Sequence, residues 1–100
     1  AYSKEIEVDI DVPTVYELSQ NYPNPFNPST TIKYALPEEG KVTLEIYTML
    51  GELVRTLVND VQPAGRYTVT LDGSKLSSGT YIYRLVAGKN VMTKKMVLIK

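Results

Sequence analysis

The sequence predicts an all-β fold, an antiparallel sandwich of about seven strands in two sheets, within 100 residues. Three observations lead there. Valine, isoleucine, threonine and tyrosine dominate the chain, and these residues suit a pleated, half-buried surface. Apolar residues recur with a period of two in run after run. Turn residues separate the runs at roughly the 8–12-residue spacing of small sandwiches.

The first run, Lys4 to Val12, sets Ile6, Val8, Ile10 and Val12 on one face and Glu5, Glu7, Asp9 and Asp11 on the other, the pattern of a half-buried strand. Its acidic face reads as a solvated face that discourages edge pairing, with a cation site as the alternative. Asn21 to Thr30 reads NYPNPFNPST, and Pro23, Pro25 and Pro28 remove three backbone donors, which excludes a helix or a central strand. Proline with aromatic predicts a rigid extended loop in which Tyr22 and Phe26 both pack on the sandwich. A polyproline-type ligand for a partner domain is the other reading.

Thr31–Leu36 places Ile32, Tyr34 and Leu36 on one face and ends in the turn Pro37-Glu38-Glu39-Gly40. Lys41–Thr48 turns Val42, Leu44 and Ile46 inward. Leu50, Leu53, Val54, Leu57 and Val58 fit both a helical stripe and a short strand. The brevity of Gly51 to Asn59 and its β-branched Val54, Thr56 and Val58 predict a strand. Arg66–Leu71 alternates Tyr67, Val69 and Leu71 with polar residues. Thr80–Ala87 is apolar on both faces apart from Arg84, as a central strand is. After the turn Gly88-Lys89-Asn90, Val91–Ile99 completes an immunoglobulin-like sandwich. Shared parity predicts a core containing Ile32, Val42, Leu44, Ile46, Tyr67, Val69, Leu71 and Leu85.

Composition limits the chemistry. With 43% hydrophobic and 22% charged residues the chain has ordinary globular composition. Eleven basic residues balance eleven acidic ones, so the basic footprint of a nucleic-acid binder is missing. The sequence has no histidine and no cysteine, which excludes a Ser-His-Asp relay, a thiol nucleophile and thiolate-bound zinc. The EF-hand spacing, the phosphate loop and the dinucleotide fingerprint are also missing from it. The reading is a non-enzyme with no cofactor and no catalytic or metal site. No run has the roughly 18–20 apolar residues of a transmembrane helix. Neither a signal-peptide pattern nor an initiator methionine opens the sequence, so it reads as a piece of a longer chain.

Four ordered motifs carry a family resemblance: Leu18 to Thr30 (LSQNYPNPFNPST), Glu45 to Gly51 (EIYTMLG), Leu76 to Tyr81 (LSSGTY) and Lys94 to Lys100 (KKMVLIK). Together they resemble the type A C-terminal sorting domain of the type IX secretion system, found at the C-terminus of exported proteins of Bacteroidota. The likeness covers Tyr16 to Lys100. Thr48 departs from the acidic or Asn residue common after the tyrosine, a difference confined to a turn. Tyr34 to Ala87 is also similar to the immunoglobulin-like domain of flagellar hook-capping proteins.

The resemblance implies a division into residues 1–15, a linker or leading strand from a preceding passenger, and 16–100, the sorting domain. It implies a non-catalytic signal that takes the passenger through the outer-membrane translocon to the cell surface or medium. The partners it implies are the translocon, a sortase-like peptidase that removes the domain, and the passenger. A folded signal must be read as a surface. The expected carriers are Gly79, Tyr81, Lys94, Lys95, Met96, Val97, Leu98, Ile99 and Lys100, with Val97 and Ile99 left for a partner if Met96 and Leu98 face the core. Gly79 and Tyr81 also have a purely structural reading, a turn that needs positive φ. The competing function is a spacer or carbohydrate-binding module of a secreted polysaccharide-degrading enzyme, although the tryptophan usual in sugar platforms is missing. A flagellar hook-cap domain is a third.

Overall fold

A computed structural model describes residues 13–100. The strand expected over Lys4–Val12 lies outside the described residues. Seven strands follow in order: β1 (Glu17–Leu18), β2 (Ser29–Leu36), β3 (Gly40–Thr48), β4 (Leu53–Gln62), β5 (Gly65–Asp72), β6 (Gly79–Ala87) and β7 (Asn90–Leu98). They form two antiparallel sheets, β1-β2-β5 and β4-β3-β6-β7. This is the predicted sandwich.

Alternation decides which side chains meet between the sheets. Ile32, Tyr34 and Leu36 of β2 and Leu71 of β5 face Val42, Leu44 and Ile46 of β3, Tyr81, Tyr83 and Leu85 of β6, and Met96 and Leu98 of β7; all are buried. Six of the eight expected core residues are among them. Tyr67 and Val69 are only half-buried, because β5 is an edge strand and its inward face is open on one side. Tyr67 stacks on Tyr34 with ring centroids 5.2 Å apart. As expected, β6 is central, between β3 and β7.

The ambiguous segment is β4, and its spacing has a structural cause. The β3–β4 register shifts between Leu44 and Glu45 and again between Ile46 and Tyr47. Leu57 and Val54 are the extra residues at these two bulges. The bulges let Val54, Leu57 and Val58 all pack against the core at a spacing that imitates a helix.

The proline segment crosses from one sheet to the other. It first runs along β2: Glu17 and Leu18 pair with Ala35 and Tyr34, and Tyr22 bridges Thr31. It then runs parallel to β7, where the Phe26 N–H donates to the Val97 carbonyl (2.8 Å) and the Ile99 N–H to the Phe26 carbonyl (3.0 Å). The peptide bonds preceding Pro23, Pro25 and Pro28 are cis. Phe26 is 1% exposed, as expected, but Tyr22 is 81% exposed. Expecting both rings to pack was wrong for Tyr22. It lies where the segment pairs with β2, with its ring on the solvent side, and only the β7 half dips into the core.

Candidate functional site

A buried polar network holds the NYPNPFNPST segment in place. The Tyr83 hydroxyl donates to the Ser19 carbonyl (2.6 Å) and accepts from the Asn21 N–H (2.9 Å). Asn21 donates through its side-chain amide to Thr30 Oγ1 (3.0 Å) and the Pro23 carbonyl (3.2 Å), and the Thr30 hydroxyl also donates to Pro23 (2.8 Å). Asn21 and Thr30 are the buried polar residues of the described chain, and every group here is satisfied. Burial raises the Tyr83 hydroxyl to about 12 from the usual 10.0, partly offset by the Asn21 N–H. The motif therefore anchors the chain.

Gly79 and Tyr81 belong to a second structural device, which occurs twice. Gly65 and Gly79 each have φ of 153°, and two residues after each comes a tyrosine. The Tyr81 hydroxyl donates to the Ser77 carbonyl (2.6 Å) and the Tyr67 hydroxyl to the Pro63 carbonyl (2.5 Å), four residues upstream in both cases. This is the tyrosine corner of β-sandwiches, which fixes how the chain enters a strand. The sequence signal was the repeated Gly-x-Tyr, Gly65-Arg-Tyr67 and Gly79-Thr-Tyr81. Tyr81 is 7% exposed, so it offers no surface to a partner, whereas Gly79 is exposed.

On β7 the expected carriers divide by parity. Met96 and Leu98 are buried in the core, which removes both from any surface that could be read. Lys95 is exposed, Val97 half-buried, Ile99 52% exposed and Lys100 exposed. Lys94 is half-buried and shares the inward parity of Met92, Met96 and Leu98, opposite Tyr83. It points toward the open side of the sandwich rather than beside Lys95. Lys100 is tied to the loop before β6: its ammonium donates to the Ser74 carbonyl (2.7 Å) and its N–H to Ser78 Oγ (3.1 Å).

Three features were missed from the sequence. The β3–β4 tip exposes Met49 and Leu50, and strand pairing puts it at the same end of the sandwich as Gly79 and the residues after Leu98. On the outer face of the larger sheet, Arg84 donates to the Tyr47 hydroxyl (2.6 Å), which donates to Glu45 (2.6 Å), with the guanidinium 4.8 Å from the centre of the Tyr47 ring. The bond to Glu45 pushes the Tyr47 hydroxyl above its ordinary value. An open groove of about 980 Å³ borders β7 and is lined by Tyr16, Lys33, Tyr34, Arg66, Met92 and Lys94, among others. Among the described residues no group of histidine, cysteine or carboxylate side chains could hold a metal ion, and no helix is long and apolar enough to cross a membrane.

A family profile described as the secretion system C-terminal sorting domain matches residues 20–100. A search of curated proteins returns no match. Among solved structures the chain is similar to dimeric latent PorU from Porphyromonas gingivalis, with a TM-score of 0.62 and 25% identity over 88% of this chain. That likeness spans 10% of the length of the PorU chain.

Proposed function

The chain belongs to the type IX secretion C-terminal sorting domain family, and from that premise we propose that it is a non-catalytic signal that carries an attached passenger through the outer-membrane translocon. As a sorting domain it marks proteins for export to the cell surface or medium and engages the secretion machinery. On our reading residues 16–100 are the sorting domain, and residues 1–15 connect it to the passenger. A sortase-like peptidase is the second partner and acts after translocation.

The observation that carries this reading is the family match over residues 20–100, which takes in the proline segment and every strand from β2 to β7. The surface proposed to be read is the end where Gly79, Ile99 and Lys100 lie, together with Lys95 and Val97 on the outward face of β7. Tyr81, Met96 and Leu98 support this surface from below, through burial.

The test joins this chain to a secreted reporter in a host that has the type IX system. Lys95 and Ile99 are exposed, so Lys95→Glu with Ile99→Ser should change stability by no more than about 1 kcal/mol. Surface display should fall while the melting temperature stays put, because charged contacts at a recognition surface mainly set encounter rate and specificity. Full display by this variant would move the signal off β7. Failure of the unmodified chain to export the reporter would defeat the reading as a whole.

A further inference from the structure

Among the described residues, the outer edge of β7 is closed over only a fraction of its length. The Val97 N–H donates to Asn24 Oδ1 (3.0 Å), its carbonyl accepts from Phe26, and the Ile99 N–H is bound to Phe26. The Lys95 carbonyl accepts from the Gln20 side chain (2.6 Å). Odd-numbered residues of β7 thus turn their backbone groups away from β6. The next groups on this edge are the Lys95 N–H and both groups of Thr93 and of Val91, and none has a hydrogen-bond partner among the described residues. Val91 is 60% exposed and Thr93 is exposed. A bare edge of this kind is a template for another strand.

The surroundings specify the incoming strand. Lys94 is on the inward face of this edge and Lys95 on the outward face, so carboxylates on either face of an added strand meet a lysine. Lys33 and Arg66 line the adjoining groove. Its only acidic side chain among the described residues, Glu17, is already 3.6 Å from Arg66. Tyr16 and Met92, both half-buried in the same groove, suit apolar residues at alternate positions. A second copy of this chain fits poorly, because pairing two β7 edges places four lysines on one two-stranded ribbon.

We infer that the open edge Val91–Lys95 binds an extended acidic peptide of the secretion machinery as an added β-strand. This deepens the reading proposed above and rests on it only for the origin of the partner; binding itself is measured in solution, apart from export. The probe is a ten-residue peptide alternating valine with glutamate, compared with one alternating valine with lysine. Added to the 100-residue chain, the acidic peptide should slow amide exchange at Val91, Thr93 and Lys95 and leave the even-numbered amides of β7 unchanged.

Thr93→Pro removes a donor that points away from β6, so the fold should persist, with binding weakened about tenfold or more. Should that variant unfold, Lys95→Glu supplies the second reading, with weakened preference for the acidic peptide. No protection, or equal protection by the lysine peptide, overturns the proposal. So does protection of these amides in the free chain, whether from residues 1–12 or from dimers that appear as concentration rises. Export without peptide binding would refute this inference and leave the sorting function standing.

Discussion

The two halves of β7 share one strand, one partner in β6 and one alternation, yet they have opposite exposures. From Met96 to Leu98 the strand is sealed on both edges, by β6 and by the proline segment, and its inward side chains lie fully in the core. From Val91 to Lys95 the same edge meets, among the described residues, only the Gln20 side chain at the Lys95 carbonyl, and its inward positions hold Met92 and Lys94, both half-buried. The difference comes from outside the strand. The segment that closes the sandwich pairs with β2 as far as Tyr22; it touches β7 through the Gln20 side chain at Lys95 and closes the edge only from Asn24 onward. What a terminal strand offers a partner is therefore set by how far another stretch of the chain covers it.

The largest test of this contrast is Phe26→Ala. Emptying a buried aromatic site should cost about 3–5 kcal/mol. Exchange at the Val97 and Ile99 amides should quicken toward that of Thr93, erasing the contrast; if the two halves stay distinct, the prolines rather than the ring hold the segment. Tyr83→Phe acts at the junction, opposite Lys94, and leaves the Asn21 N–H and the Ser19 carbonyl without their partner. Chemical denaturation should report a loss of about 2–3 kcal/mol.

Tyr83 also predicts a pH dependence. Its folded hydroxyl holds the proton more tightly than the unfolded one, so its stabilising contribution is complete below about pH 10 and is lost as pH rises to about 12. Melting curves of the parent should fall through that window more steeply than those of Tyr83→Phe.

Gly73→Ala should cost about 1–2 kcal/mol by overpacking, because a β-carbon there would lie 2.9 Å from the Phe26 ring and 3.1 Å from the Pro28 carbonyl oxygen. Its effect should spread to Val97 and not to Thr93. Tyr22→Ala is the smallest, within about 0.5 kcal/mol, since the ring is exposed. A larger loss would mean that the β2 half of the segment contributes as much as the β7 half.

The regions of the fold that follow from alternation were legible in the sequence. Met96 and Leu98 share the parity of a buried face, and the apolar residues on both faces of Ile82 to Val86, Arg84 apart, fit the place of β6 between β3 and β7. Tyr67 and Val69 have the right parity but lie on an edge, and edge position depends on strand order, which a period of two does not encode. Val54, Leu57 and Val58 looked helical because two bulges add residues to one strand and not to its neighbour. In the proline segment the alternation itself breaks down, so the opposite fates of Tyr22 and Phe26 could not be read. Lys94 was readable: it is two residues from Met92 and from Met96, and parity outranks residue type on a strand whose edge is open. The candidate surface was thus legible as a strand but not as a set of exposed side chains.

The parallel pairing of Phe26 with β7 has a mechanical consequence. Segment 13–26 and β7 run in the same direction, so Pro13 lies at one end of the ribbon and Lys100 at the other. A pull between those two residues slides the strands past each other and loads the bonds from Val97 to Asn24, Phe26 to Val97 and Ile99 to Phe26 in shear, all at once. They cannot break in succession like the teeth of a zipper. A domain hauled by its two ends should hold until the segment gives way as a unit, at a force set by the unfolding barrier rather than by equilibrium stability.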